Sequence, residues 1–182
     1  MLALQEKYRK EVVPAMEKAF GYRNGMTVPR IAKVVVNAGV GRIRDEKQLG
    51  AIVQALTLIT GQKPAPRPAR KAIAAFKTRQ GLLVGYQVTL RGTRMWDFLL
   101  RLIAIAIPRL RDFRGIGVRS FDPRGNLTIG FSEHIVFPEM VGEDVPLMFG
   151  LEVTVVTTAR KREEGIQLLK LLGLPLNEEP RA

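Results

Sequence analysis

Arg67, Arg70, Lys71, Lys77 and Arg79 fall within one short stretch, and Phe76 is set among them. Guanidinium and ammonium groups around a lone aromatic ring supply phosphate contacts and one platform on which a base can stack. The stretch lies inside a run of fifty residues, 47–96, that carries nine Lys or Arg and no acid. A soluble surface normally mixes its charges, because one sign alone repels itself and weakens the compact state. A solvated face explains a run of cations, but not the removal of the anions from among them. The charge is also directional. Residues 1–60 hold ten basic and five acidic side chains, 61–125 hold fourteen and three, and 126–182 hold five and nine, within a net charge of +12. A cationic middle of this kind faces a polyanion, with RNA the leading candidate.

Other chemistry finds little material. The one histidine, His134, sits in Ser132-Glu133-His134, where adjacent residues cannot converge as nucleophile, base and orienter. With no Cys and one His, disulfides, thiolate sites and thiol nucleophiles are excluded, and a transition-metal site would need scattered carboxylates. No cofactor is expected. Gly39-Val40-Gly41 resembles part of a dinucleotide fingerprint and defines the rival reading, a small nucleotide-binding enzyme. Arg44 stands where the third glycine belongs, and no acid follows at the ribose distance, so a tight turn fits better. No apolar run is long enough to span a bilayer, and a cytoplasmic protein is expected.

At 182 residues, 46% apolar and mean hydropathy +0.02, the chain suits a single domain over 1–182. Leu4, Tyr8, Val12, Met16 and Phe20 recur every four residues and predict an amphipathic helix, kinked or broken at Pro14. Lys33–Ala38 predicts a strand, and Asp45 caps a second helix that ends at Gly61. Pro64, Pro66 and Pro68 introduce a short edge strand and then a long, mobile basic loop, 64–82 in all. Val84–Arg91 alternates cleanly, with Val84, Tyr86, Val88 and Leu90 on one face and Gly85, Gln87, Thr89 and Arg91 on the other. Trp96–Ile107 predicts a helix closed by Pro108. Residues 109–126 are turn-rich and irregular, with Phe113 and Phe121 as anchors. Arg111, Arg114 and Arg124 there either reach RNA or brace the loop. Leu127–Phe131 and Leu151–Thr158 predict strands, Arg160–Leu172 a last helix, and 176–182 a short tail. The expected fold is α+β: a mostly antiparallel sheet, helices packed on one face, and the other face open for RNA. That open face would present Asn37, Thr89 and Arg91, although Asn37 is equally suited to bonding the glycine turn after its strand.

The blocks KVVVNAGVG (33–41), TGQKP (60–64), VTLRGTRMWDFL (88–99), PRLRDFRG (108–115), SFDPRGN (120–126), FPE (137–139) and VVTTA (155–159) resemble the bacterial ribosomal protein L5 (uL5) family. The resemblance is colinear from about residue 3 to residue 175. It implies a structural, non-enzymatic protein of the large-subunit central protuberance, near 23S rRNA, that binds 5S rRNA beside the 5S-binding protein L18. It further implies contact with P-site tRNA and a bridge to small-subunit protein S13, falling between about 109 and 146. By motif, Asn37, Gln62, Phe76, Thr89 and Arg91 match the 5S rRNA positions, and Arg67 joins them from the basic stretch. Arg70, Lys71, Lys77 and Arg79 fall in the segment that implies tRNA contact. Ala72, Ala74 and Ala75 depart from the family, which more often has serine or aspartate there, so this loop offers fewer specific hydrogen bonds.

Overall fold

The computed structural model describes residues 3–110, 113–142 and 147–177. A mostly antiparallel five-stranded sheet runs in the order β2-β3-β1-β6-β5, with β1 Ile31–Gly39, β2 Ala65–Pro68, β3 Leu83–Leu90, β5 Leu127–Phe131 and β6 Leu151–Thr157. A second, two-stranded parallel sheet joins β4 Ile116–Gly117 to β7 Leu176–Asn177. Strand alternation decides which face is covered. Val34, Val36 and Ala38 of β1 are fully buried while Val35 and Asn37 are not, and β5 and β6 repeat the pattern at period two. The chain divides into two compact units, 1–34 with 91–129 and 154–182, and 35–90 with 130–153.

The first unit holds most of the helices. The amphipathic stripe forms over Leu4, Val12 and Met16, which are buried, with Tyr8 half-buried, while Phe20, expected to continue it, is exposed. The expected interruption takes a particular form: α1 Ala3–Lys7 passes into a π-helical turn, Tyr8–Val12, and then into α2 Val13–Phe20. Pro14 has no N–H and crowds the carbonyl four residues back. The wider turn, in which the Val13 N–H bonds Tyr8 O five residues back, accommodates it without ending the helix. Tyr8 packs against Trp96 and donates its hydroxyl to Pro29 O at 3.1 Å. Trp96 belongs to α4 Gly92–Arg101, which starts four residues before the expected position and continues as a π-helical segment, Leu102–Ala106. The helix α5 Arg162–Leu172 opens with Glu163 and Glu164 in its first turn, where the helix dipole favours them.

The irregular segment is more ordered than its composition suggests. Asp122 Oδ1 accepts from the N–H groups of Arg124 and Asn126, and its Oδ2 takes the Asn126 amide at 2.6 Å. Asn126 Oδ1 then accepts from Thr157 N at 2.9 Å, fixing the loop to β6. Gly125 has φ +73°, and a Cβ there would stand 2.9 Å from Gly165 Cα, so loop and helix meet backbone to backbone. The expected tail at 176–182 begins instead as β7, since Leu176 and Asn177 pair with Ile116 and Gly117 in the middle of the irregular segment. A two-residue strand has no periodicity to read.

In the second unit, α3 Glu46–Thr60 is capped by Asp45, whose carboxylate accepts from Lys47 N at 3.1 Å. Gly61 closes it in the left-handed conformation, as its C-cap position anticipates. Ile52, Ala55, Leu56 and Ile59 form its fully buried face. His134 is a packed side chain, 2% exposed, stacked on Phe149 at 4.3 Å. Burial lowers its pKa, and the nearby charge of Glu133 opposes that shift, while Nδ1 accepts from the Phe149 N–H at 3.5 Å.

Candidate nucleic-acid interface

The interface is built on the second unit's sheet edge. β2 pairs antiparallel with β3, aligning Ala65 with Gln87, Pro66 with Tyr86 and Arg67 with Gly85. Val88 and Leu90 turn into the core, leaving Gln87 and Thr89 half-exposed on the opposite face. On β1 the same face carries Asn37. Its carboxamide lies over β3, with Oδ1 3.7 Å from where a Cβ on Gly85 would stand. The turn after β1 is held by a backbone bond from Val40 N–H to Val84 O at 2.9 Å.

The basic loop is a continuation of the β2–β3 hairpin. Ala69 N bonds Leu82 O at 2.8 Å, and Gly81 N bonds Ala69 O at 2.9 Å, which extends the ladder past the strand ends. At the far end, Ile73 and Thr78 pair antiparallel, exchanging N–H···O bonds of 2.9 and 3.1 Å around a 3₁₀ turn, Ala74–Phe76. Lys77 takes the left-handed conformation that closes the turn. Phe76 stands 77% exposed at this tip, beside Ile73 at 47%. Arg67, Arg70, Lys71, Lys77 and Arg79 are all exposed. A large ring held out in water stabilises little of the fold, and its exposed face between cations is available for stacking.

Gln62 follows α3. Its backbone is fixed by Thr60, whose hydroxyl contacts Gln62 O and N at 3.0 and 3.4 Å, and the residue is half-exposed. Arg91 follows β3 directly in sequence and is the exposed N-cap residue of α4, counted with the first unit. Arg114 and Arg124 are exposed in that unit too, and Arg111 lies outside the described residues. The arginine that braces the irregular segment is another one: Arg162 Nη2 donates to Val118 O across to the 3₁₀ turn Val118–Ser120. Sequence reading missed it because a basic residue in the first turn of a helix gives no hint of a carbonyl forty-four positions away.

An open, polar strand face that runs into an acid-free cationic hairpin defines a class: an α+β protein built to lie against a polyanion. Among the described residues no helix is long and apolar enough to cross a membrane. Comparison with known proteins narrows the class. Residues 24–79 match the family described as Ribosomal protein L5, and residues 83–176 match the model of that ribosomal family's C-terminus. Proteins named large ribosomal subunit protein uL5 align along nearly the whole chain. That of Roseiflexus sp. is 54% identical over 96% of this chain and 98% of its own length. That of Rubrobacter xylanophilus is 51% identical over 96% and 98%. That of Halothermothrix orenii is 48% identical over 98% and 100%. The chain therefore belongs to the ribosomal protein L5 family.

Proposed function

We propose that the chain is a structural, non-enzymatic constituent of the large ribosomal subunit, working in the cytoplasm, that binds 5S rRNA and helps attach it in the central protuberance. The single observation carrying this reading is the exposed basic hairpin continuous with a polar strand face, in a stretch of fifty residues free of acids. Docking is electrostatic and shape-directed. Arg67 and its neighbours neutralise phosphates and release counterions, Phe76 stacks one base, and Asn37, Gln62, Thr89 and Arg91 fix register through 2′-hydroxyls and phosphates. The cations Arg70, Lys71, Lys77 and Arg79, on the arms and tip of the hairpin, suit a second polyanion, the P-site tRNA. The smoother Ala72, Ala74 and Ala75 make that contact one of charge more than of hydrogen bonding. The segment from about 109 to 146 meets small-subunit protein S13, L18 is the companion on 5S rRNA, and 23S rRNA lies nearby.

The test is a filter-binding titration of the purified protein against 5S rRNA at physiological salt, with mixed double-stranded RNA of equal length as competitor. Binding that survives the competitor supports the reading. Binding that the competitor abolishes reduces the protein to a non-specific cation and removes the 5S assignment.

A further inference from the structure

The five-stranded sheet has two edges, and their residues differ in kind. β2 and the residue before it carry proline at 64, 66 and 68, whereas β5, Leu127–Phe131, holds no proline and no charged side chain. Natural sheets blunt a free edge with such residues, because unpaired N–H and C=O groups invite another strand. Three observations fix how β5 lies on β6. Thr157 donates to Gly125 O and Asn126 Oδ1, the Thr128 and Thr154 hydroxyls are 3.2 Å apart, and a Cβ on Gly150 would stand 3.0 Å from Phe131 O. The strands are therefore antiparallel in one unbroken register, which sets Gly130 opposite Glu152 on the face where Thr128 and Glu152 are exposed. On the side away from β6, Phe121 bridges Leu127 and Asp122 N bonds Asn126 O at 2.9 Å, so position 126 points outward. By alternation 128, 130 and 132 do the same. Beyond that bridge, among the described residues, the Gly130 N–H and C=O and the Ser132 N–H meet no backbone partner. Gly130 itself has no positive φ, and a Cβ there would meet nothing within 4 Å. Neither torsion nor packing within the molecule calls for a residue that weakens a strand interior.

We propose that the β5 edge is a docking site for an extended, basic segment of a partner protein, which adds to the sheet as a sixth strand beside Gly130. Main-chain bonds to Gly130 and Ser132 hold the strand, and charge selects it. Residues 125–159 hold no Lys or Arg and five Asp or Glu, the inverse of the acid-free run at 47–96. Gly130, Ser132, Glu133 and Glu152 all belong to the second compact unit. Glu152 is exposed across from Gly130, which has no side chain to stand between it and a new strand. A Lys or Arg placed opposite Gly130 extends over the glycine toward that carboxylate. The two outer backbones are then roughly 9–10 Å apart, two strand spacings, which a pair of long side chains can bridge. A second copy of this chain is disfavoured, since it brings Glu133 and Glu152 against their own counterparts. RNA is disfavoured too, because the edge sets carboxylates and no cation before its phosphates. β5 falls within the segment proposed to meet S13, but the inference goes beyond that contact: it defines a mode of docking and holds for any protein that supplies such a strand.

The experiment uses the full chain and a fluorescent peptide of alternating Lys and Val, about ten residues long, enough to cover a strand. Affinity is read by anisotropy, and exchange of the Gly130 amide by NMR. Saturating peptide is expected to slow that exchange at least about tenfold, as the amide gains a partner. A fully N-methylated twin keeps the charge and loses every donor, and an acidic twin has Glu for Lys; each should bind at least about tenfold more weakly. Gly130→Pro removes the outward donor and leaves the bonds to β6 in place, and should cost at least about tenfold. Glu152→Gln should cost about two- to fivefold, an effect that shrinks with salt. Unchanged exchange at Gly130 overturns the proposal, as does Gly130→Pro or the methylated twin binding within about twofold of its parent. An acidic twin that binds as well as the basic one overturns the partner's chemistry. If Gly130→Pro does not fold, the amide exchange and the methylated twin decide. Slowing of the Gly130 amide by 5S rRNA and not by the peptide gives the edge to RNA. Self-association of the wild type that Gly130→Pro abolishes gives it to a second copy, and either result overturns the basic strand.

Discussion

Replacing Phe76 by alanine should separate RNA binding from folding. Full burial of a phenylalanine stabilises a fold by about 1.5–3 kcal/mol. Phe76 is 77% exposed, so the ring contributes only about 0.5 kcal/mol. That corresponds to a melting shift of about 1–2 °C in a chain this size. The turn holding it uses no atom of the ring, since the Ile73–Thr78 backbone pair and the Thr78 hydroxyl on Phe76 O at 3.2 Å support it, and alanine preserves both. A base stacked on an aromatic side chain is worth about 1–3 kcal/mol, so affinity for 5S rRNA should fall about 5- to 160-fold. Because the ring is uncharged, the salt slope should stay that of wild type. Lys77→Ala, one residue on, should instead lower the slope by about 0.7–0.9. The assay is filter binding from about 50 to 300 mM salt, with a melt of each protein. Full affinity in Phe76→Ala with an intact melt would refute the stacking platform. A reduced slope in that variant would show that the turn had collapsed and taken its cations with it.

The other predictions concern the fold. Arg162→Ala should cost about 1.5–3 kcal/mol in urea unfolding, since it removes a charge-assisted bond to the Val118 carbonyl and frees the irregular segment; an unchanged midpoint would deny the bracing role. Gly125→Ala should destabilise by about 2 kcal/mol or more, from its left-handed φ and the 2.9 Å approach to Gly165, and a wild-type melt would mean the two backbones part easily. Burial lowers the folded pKa of His134 below 6.5, so the unfolded chain binds the proton first. Stability should therefore be full above about pH 6.5 and fall as the pH drops below it, and His134→Asn should flatten that part of the melting profile. For Asp122, burial raises the pKa, but bonds from Asn126 and the Arg124 N–H lower it on balance below 3.8. Its contribution should persist above that value and vanish only as pH falls through the lower, folded pKa, at more acidic pH than the His134 step.

Elements with a face to bury could be read from the chain. The period of two in β1, β3, β5 and β6 and the cap pair Asp45 and Gly61 predicted boundaries within one or two residues, because burial and terminal hydrogen bonds both act on local sequence. The first turn of α4 was invisible: Gly92, Thr93 and Arg94 are exposed, so no apolar stripe announces it. The π-helical turn at Tyr8–Val12 was hidden for another reason, since its cause is the carbonyl that Pro14 crowds, and that shifts hydrogen bonds without shifting the pattern of side chains. At the site, charge located the basic hairpin and alternation located Thr89. The juxtaposition of Asn37 with Gly85 depends on how β1 and β3 meet, and register between strands so far apart in the chain leaves no local trace.

The prolines of β2 carry a last consequence. In an antiparallel edge strand the N–H and C=O of alternate residues point inward to the neighbour, and those between point outward. Ala69 N bonds Leu82 O, so position 69 points inward, and by alternation 65 and 67 do the same. Positions 64, 66 and 68 point outward, and each is proline. The edge therefore offers no outward donor, and a second strand cannot add to it. A row of unpaired N–H groups beside a strongly basic hairpin would invite strand addition whenever charge is screened, as it is once RNA is bound. Proline removes that route without an acid, which would repel the RNA that the edge is proposed to meet. Replacing Pro66 and Pro68 together by valine restores two outward donors and raises β propensity, leaving every cation in place. Sedimentation velocity at high salt should then show concentration-dependent dimers of the variant while the wild type stays monomeric. A variant that remains monomeric there would show that charge repulsion alone guards the edge, and that the prolines serve only to set the direction of the strand.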